Sequence, residues 1–450
     1  MDYIATAALL IFGSTLFLMI KRPFGLRLGY AAGIGAVASL LLGTVSFGQA
    51  AQSFLDIWDA ALAFIGIIAL SVILDAMGFF RWAALRVVKL AKGSGLRLYF
   101  YVSLLTAAVS ILFANDSAVL ILTPIVLEII SQLKIDGKGR YAYLFAAGFI
   151  ADTAAMPLIT SNPINILSAD FFGYTFIDHL MFMGPIALAT ITSSMFLIYL
   201  FFRKKIPKTY DIKLVDTLNA GSTTIEPKML RLCIGTLFAI DVGYIFASLS
   251  LIPVSLVVCS GVLFLLAVYL ARLNGEIVRG ERKGLKGLAK DINWDIVLFM
   301  LSIFIVINGL INVGILDFLV STLISTTTLP SFLSILAPSL IVTVGASFIN
   351  NWPMTILGMF SIQHAVATTA FGGSALTGLV FSNIIGNNLG PHFFPLGSLA
   401  ILMWFEVMRR KGVNISLKQY LKVGAVVSIS EVAVASLVLW MELSAGMKLF

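Results

Sequence analysis

The stretch LLTAAVSILFANDSAVLILTPIVLEII constrains this chain most, because Asn115, Asp116 and Ser117 interrupt an otherwise apolar run. A carboxylate and an amide in such a run are costly to hold in hydrocarbon and mark a functional position. The stretch has a counterpart: Asn115 precedes Asn351, in SLIVTVGASFINNWPMTILGMF, by 236 positions. The same ungapped offset carries Trp58-Asp59 onto Trp294-Asp295, Gly78 onto Gly314, Asp152 onto Asn388 and Asp170 onto Glu406. Composition does not explain so many matches in one register. The chain therefore reads as two related halves, each with a polar break, and function is expected where the breaks meet.

With 59% hydrophobic and 12% charged residues and a mean hydropathy of +1.01, the chain is expected to be an all-α polytopic membrane protein. The first apolar run, Ile4 to Ile20, lacks a basic leader and a small-residue cleavage site, so it is expected to be retained as a helix. The net charge of +8 resides in short loops beside apolar segments, where it sets orientation and does not suggest nucleic acid. Cys233 and Cys259 lie in apolar stretches and offer neither a disulfide framework nor a thiolate cage. No phosphate loop, nucleotide fingerprint or Ser/His/Asp set stands in a suitable context, so no cofactor is expected.

Spans of roughly 20 apolar residues place helices at about 3–20, 28–45 and 58–78, with Ser46 to Ile57 as an outward loop and the basic stretch 81–97 inside. Residues 98–131 are too long for one crossing and have basic loops at both ends. They read as a re-entrant hairpin from the cytoplasm with Asn115-Asp116 at its tip. Residues 141–202, free of Lys and Arg, give a helix broken around Met156 to Pro163 and a return helix. The first half is then 1–202, and 203–229 is a cytoplasmic linker.

The second half, 230–450, adds two helices and the basic run Arg272 to Lys290, then repeats the pattern. It has an external-side hairpin at 331–367, a helix broken around Asn387 to Pro395, and a last helix at about 420–441. The total is about ten transmembrane helices plus two re-entrant hairpins in two inverted-topology repeats with discontinuous helices.

Four breaks bring amides and hydroxyls together: Asn115 and Ser117; Ser161, Asn162 and Asn165; Asn350 and Asn351; Asn387, Asn388 and Ser398. These are the candidate substrate ligands. Asp116 and Asp152 are the acids deepest in the breaks and are candidate proton carriers, with Asp116 the first choice. His392 is a secondary proton candidate. Asp241 and Glu431 lie outside the repeated breaks and are assigned to helix contacts. No His or Cys stands at metal-ligand spacing.

FANDSAVLILTPIV, SNPINILSADFF and LGPHFFPLGSLAILMW closely resemble the arsenical pump membrane protein family of bacterial efflux permeases, within the ion-transporter superfamily. That resemblance implies a multi-pass protein of the bacterial cytoplasmic membrane exporting arsenite and antimonite, with protons as the coupling ion. It also implies a possible partnership with a separate cytoplasmic arsenite-stimulated ATPase. The family's late motif usually carries an acid and a Lys where this chain has Asn388 and His392, which shifts the expected proton role toward Asp116 and Asp152. Arsenite near neutral pH is an uncharged trihydroxide, suited to amide and hydroxyl partners. A sodium/proton or other ion antiporter of the same superfamily is the alternative. A membrane-embedded hydrolase and a passive channel for neutral solutes are further readings.

Overall fold

The computed structural model describes residues 3–450 except 136, 212, 215–224, 251, 274–283, 315 and 370–371. Parts of the 203–229 linker and of the basic run Arg272 to Lys290 thus lie outside the described residues. Every named element is helical. The first half contains α1 (Tyr3–Lys21), α2 (Leu28–Leu41), α3 (Phe47–Ala76), α4 (Phe79–Ala91), α5 (Gly95–Phe113) and α6 (Asn115–Gln132). A broken segment follows, with α7 (Arg140–Phe145), a π turn (Ala146–Ile150), a helical turn (Ala151–Thr153), and α8 (Pro163–Phe172). The return helix α9 is Phe176–Phe202.

The second half contains α10 (Pro227–Leu249), α11 (Val254–Leu273), α12 (Leu285–Asp291), α13 (Trp294–Asn312), α14 (Leu316–Thr327), α15 (Leu333–Ile349) and α16 (Asn351–Thr369). It ends with the broken pair α17 (Gly373–Leu389) and α18 (Leu399–Arg410), then α19 (Leu417–Ser444). Among the described residues, nine helices are long and apolar enough to cross a membrane, two of them being the arms of the first hairpin.

Hydrogen bonds between helices fix the direction of the two halves. Asn308 Nδ2 donates to Ser53 Oγ (2.6 Å) and Gln49 Nε2 to Asn312 Oδ1 (3.1 Å), so α3 and α13 run antiparallel. These are counterparts at the 236-residue offset. The Gly29 N–H donates to Asp295 Oδ1 (3.1 Å) and Asn312 Nδ2 to Thr44 O (2.9 Å), so α2 runs parallel to α13. Asp59 accepts from the Val254 and Ser255 N–H groups (3.2 and 3.0 Å), and Gly66 lies on Val258, so α11 runs parallel to α3. Second helices and third helices thus each run opposite to their counterparts, as inverted repeats require.

The matched acids have a matched task. Asp59 satisfies the first amides of α11, and Asp295 does the same for α2, each acid reaching the second helix of the other half. Gly78 and Gly314 also share a conformation, with φ of +81° and +79° just after α3 and α13, where a side chain would be strained.

Two expectations need correction. The third helix begins at Phe47 rather than near 58, so Ser46 to Ile57 is not a loop. Ser46 and Gln49 form a capping box that starts the helix eleven residues earlier than hydropathy suggests. The stretch 81–97 is mostly helix α4, whose apolar residues Phe80, Ala84, Leu85 and Val88 are buried while Arg86, Lys89 and Leu90 are exposed. Its amphipathic pattern, not a long apolar run, is what makes it helical.

Candidate functional site

Both hairpins break at one residue. Ala114 (φ 64°, ψ 154°) ends α5 and Asn350 (φ 81°, ψ 149°) ends α15; the two are 236 apart. The next residues, Asn115 and Asn351, open α6 and α16, so the kink precedes the Asn115-Asp116 pair instead of falling on it. Backbone in this region is essentially reserved for glycine, and at Ala114 and Asn350 it is held by the surrounding packing.

The broken segments match equally closely. Helix resumes at Pro163 after Asn162 (φ −150°, ψ 134°) and at Leu399 after Ser398 (φ −132°, ψ 137°), again 236 apart. Asn162 Oδ1 accepts from the Ile164 N–H and caps α8.

At the centre the halves exchange equivalent contacts. Ser398 Oγ donates to Asp152 Oδ1 (3.3 Å), and Asn162 Nδ2 donates to Asn388 Oδ1 (2.9 Å). Since Asp152 corresponds to Asn388 and Asn162 to Ser398, these are one contact repeated about a pseudo-two-fold axis. Asn388 Nδ2 also donates to Asn165 Oδ1 (3.0 Å), and Asn115 Nδ2 to Asp152 Oδ1 (2.6 Å). Asn115 and Ser398 bring the N-terminal ends of α6 and α18 to the Asp152 carboxylate, where helix dipoles favour negative charge.

A second set of groups closes on Asp152. His392 Nε2 lies 3.6 Å from Asp152 Oδ2, and His392 Nδ1 lies 2.8 Å from Glu431 Oε2. Thr153 Oγ1 donates to Glu431 Oε1 (2.7 Å), and Phe149 stacks on the imidazole at 4.6 Å between centroids. Asp152 is 2% exposed, and His392 and Glu431 are fully buried. The sequence alone assigns Glu431 to helix contacts. An acid midway along the apolar α19 was itself the signal, but its partner lies 39 residues away and only the fold joins them.

Of the remaining candidates, Asp116 and Ser117 line a cavity of about 170 Å³ that they share with Ser71, Asp75, Asp291 and Asn293. Asn350 Nδ2 donates to Leu396 O, and Asn387 Nδ2 to Asn383, each within the second half. Ser161 Oγ donates to Ile111 O and ties the first break to α5. Asp152 Oδ2, His392 Nε2, Asn351 Oδ1 and Asn387 Oδ1 belong to the buried atoms without a hydrogen-bond partner among the described residues. Buried polar atoms are rarely left so, and two of these, Asp152 Oδ2 and His392 Nε2, lie 3.6 Å apart.

The arsenical pump membrane protein family model matches residues 7–443. The chain belongs to that family. The family's relatives span it almost end to end. An arsenical pump membrane protein of Escherichia coli is 36% identical over 96% of this chain and 98% of its own length. That of Yersinia enterocolitica is 36% identical over the same shares of the two chains. A putative arsenical pump membrane protein of Bacillus subtilis is 25% identical over 92% of this chain and 94% of its own. Among solved structures, the YdaH transporter of Alcanivorax borkumensis, described as having an unusual topology, matches with a TM-score of 0.52. The match covers 89% of this chain and 88% of that one at 13% identity, a likeness of fold alone. As a family member, the chain is a multi-pass bacterial membrane transporter for arsenicals.

Proposed function

We propose that this transporter exports arsenite and antimonite as neutral trihydroxides across the cytoplasmic membrane in exchange for inward-moving protons. The observation that carries the reading is the reciprocal pair Asp152–Ser398 and Asn388–Asn162, where both halves meet in amides, hydroxyls and one carboxylate. From 141 to 202 and from 293 to 408 there is no Lys or Arg, so these stretches offer no fixed cation to hold an anionic substrate. A trihydroxide offers O–H donors, and at this centre Asp152 Oδ2 is a buried acceptor that lacks one among the described residues. Asn115, Asn162, Asn165, Asn388 and Ser398 form the rest of the substrate site, with Asn350, Ser117 and Ser161 supporting the breaks.

Asp152 and His392 touch the substrate region and exchange protons there, while Asp116 serves protons from its own cavity. Alternating access follows from moving the two hairpins and broken helices against the other helices. Everted membrane vesicles test the reading. Arsenite uptake is expected to require an acidic lumen, to collapse with a protonophore and to be indifferent to a sodium gradient. Uptake driven by sodium alone, or by ATP after the proton gradient is collapsed, would replace proton exchange with another energy source.

A further inference from the structure

Asp152, His392 and Glu431 come from three separate elements, and all are buried away from solvent. One imidazole stands against two carboxylates, so a single imidazolium neutralises only one of them. One more proton makes the cluster neutral, and its departure leaves a net charge of −1 in a site where charge is expensive. A purely structural tie would need no third ionisable group.

Atomic positions separate the roles of the three. Glu431 is fully engaged: Oε2 is on His392 Nδ1 and Oε1 on Thr153. Phe149 stacks on one face of the ring, and the Tyr420 hydroxyl is occupied by Pro391 O. The ring is therefore held with Nε2 3.6 Å from Asp152 Oδ2, and neither of these two atoms has a hydrogen-bond partner among the described residues. The other Asp152 oxygen is committed to Asn115 and Ser398.

We propose that Glu431 is a positioning residue for antiport. It aims His392 at Asp152 so that one proton shared by Asp152 Oδ2 and His392 Nε2 competes with the substrate for that carboxylate oxygen. The inference rests on the proton-exchange reading above. A substrate hydroxyl donates to Asp152 Oδ2 only when the shared proton has left, and the returning proton displaces the hydroxyl. Substrate and proton thus exclude each other at one atom, which is the condition for exchange rather than co-transport. The charged groups facing His392 are Asp152 and Glu431; Tyr420 is the other titratable neighbour, and Asp116 lies beyond Asp152 next to Asn115.

Glu431→Gln, nearly the same in shape, tests this in everted vesicles carrying the full-length transporter. Two rates are read over a range of pH: arsenite uptake driven by an acidic lumen, and arsenite–arsenite exchange without a gradient. In the variant, the ratio of driven uptake to exchange is expected to fall at least tenfold. Removing the negative charge beside Nδ1 makes the imidazolium harder to form, so the pH of half-maximal driven uptake moves down by about one unit. Glu431→Asp, which restores the charge, is expected to recover most of the ratio.

A Glu431→Gln protein whose ratio and pH midpoint match the parent overturns the proposal. So does a parallel loss of both rates with the midpoint unmoved, which would make Glu431 a packing residue. If the parent transporter itself takes up no arsenite under a proton gradient, the efflux reading fails, a result distinct from either variant outcome.

Discussion

Asp152 is the residue on which the two halves depend together, because Asn115 from its own half and Ser398 and His392 from the other all converge on its carboxylate. Asp152→Asn keeps the shape and loses the exchangeable proton. Proton-driven arsenite uptake is expected to drop at least tenfold, and by more than in Asp116→Asn, whose carboxyl faces a separate cavity. Uptake assays on both variants at matched membrane abundance decide this. Asn388→Ala should act differently, since it strands the Asn162 amide and the Asn165 carbonyl, at a cost of roughly 1–3 kcal/mol for a buried group left unpaired. Because Asn388 also belongs to the proposed substrate site, the arsenite concentration giving half-maximal uptake is expected to rise in that variant alongside a lower melting temperature. The resemblance to the family placed Asn388 and His392 as departures that transfer proton work to the first half. His392 instead lies between carboxylates of both halves, Asp152 and Glu431, so the altered motif remains within the charged cluster.

At the scale of elements, the repeated acids provide a test of the inverted pairing. Asp59→Ala and Asp295→Ala each remove the side-chain acceptor at the start of a helix in the opposite half, and each is expected to cost about 1 kcal/mol. Similar drops in melting temperature in detergent, without loss of the proton–arsenite coupling ratio, are the expected result; an effect from only one acid would contradict the matched roles. Ala114→Gly should raise the melting temperature, because it relieves backbone strain of about 1–3 kcal/mol at the first hairpin tip. The hairpins, the broken helices and the register between halves were legible because apolar runs, breaks and a fixed offset leave marks along the chain. The capping box at Ser46 and the amphipathic α4 were in the sequence too, but hydropathy does not register them. Contacts such as His392–Glu431 are set by how α19 packs on the broken segment, which no local pattern encodes.

At the scale of the whole molecule, antiparallel counterpart helices place equivalent residues on either side of one central site. The symmetry is incomplete where it meets chemistry. Asp152 faces Asn388 across the pseudo-axis, Met156 stands where the second half has His392, and Trp352 stands where the first half has Asp116. The backbone can therefore treat the two membrane faces alike while the protonatable groups occupy one side of the centre. Exchange of arsenite for protons is tested most directly with the purified transporter in sealed proteoliposomes, recording arsenite and proton fluxes in the same sample. Antiport predicts that an arsenite gradient alone drives protons the opposite way, at a fixed ratio to arsenite moved, and that Asp152→Asn abolishes the proton flux. Arsenite movement with no accompanying proton flux, or protons moving in the same direction as arsenite, would contradict it.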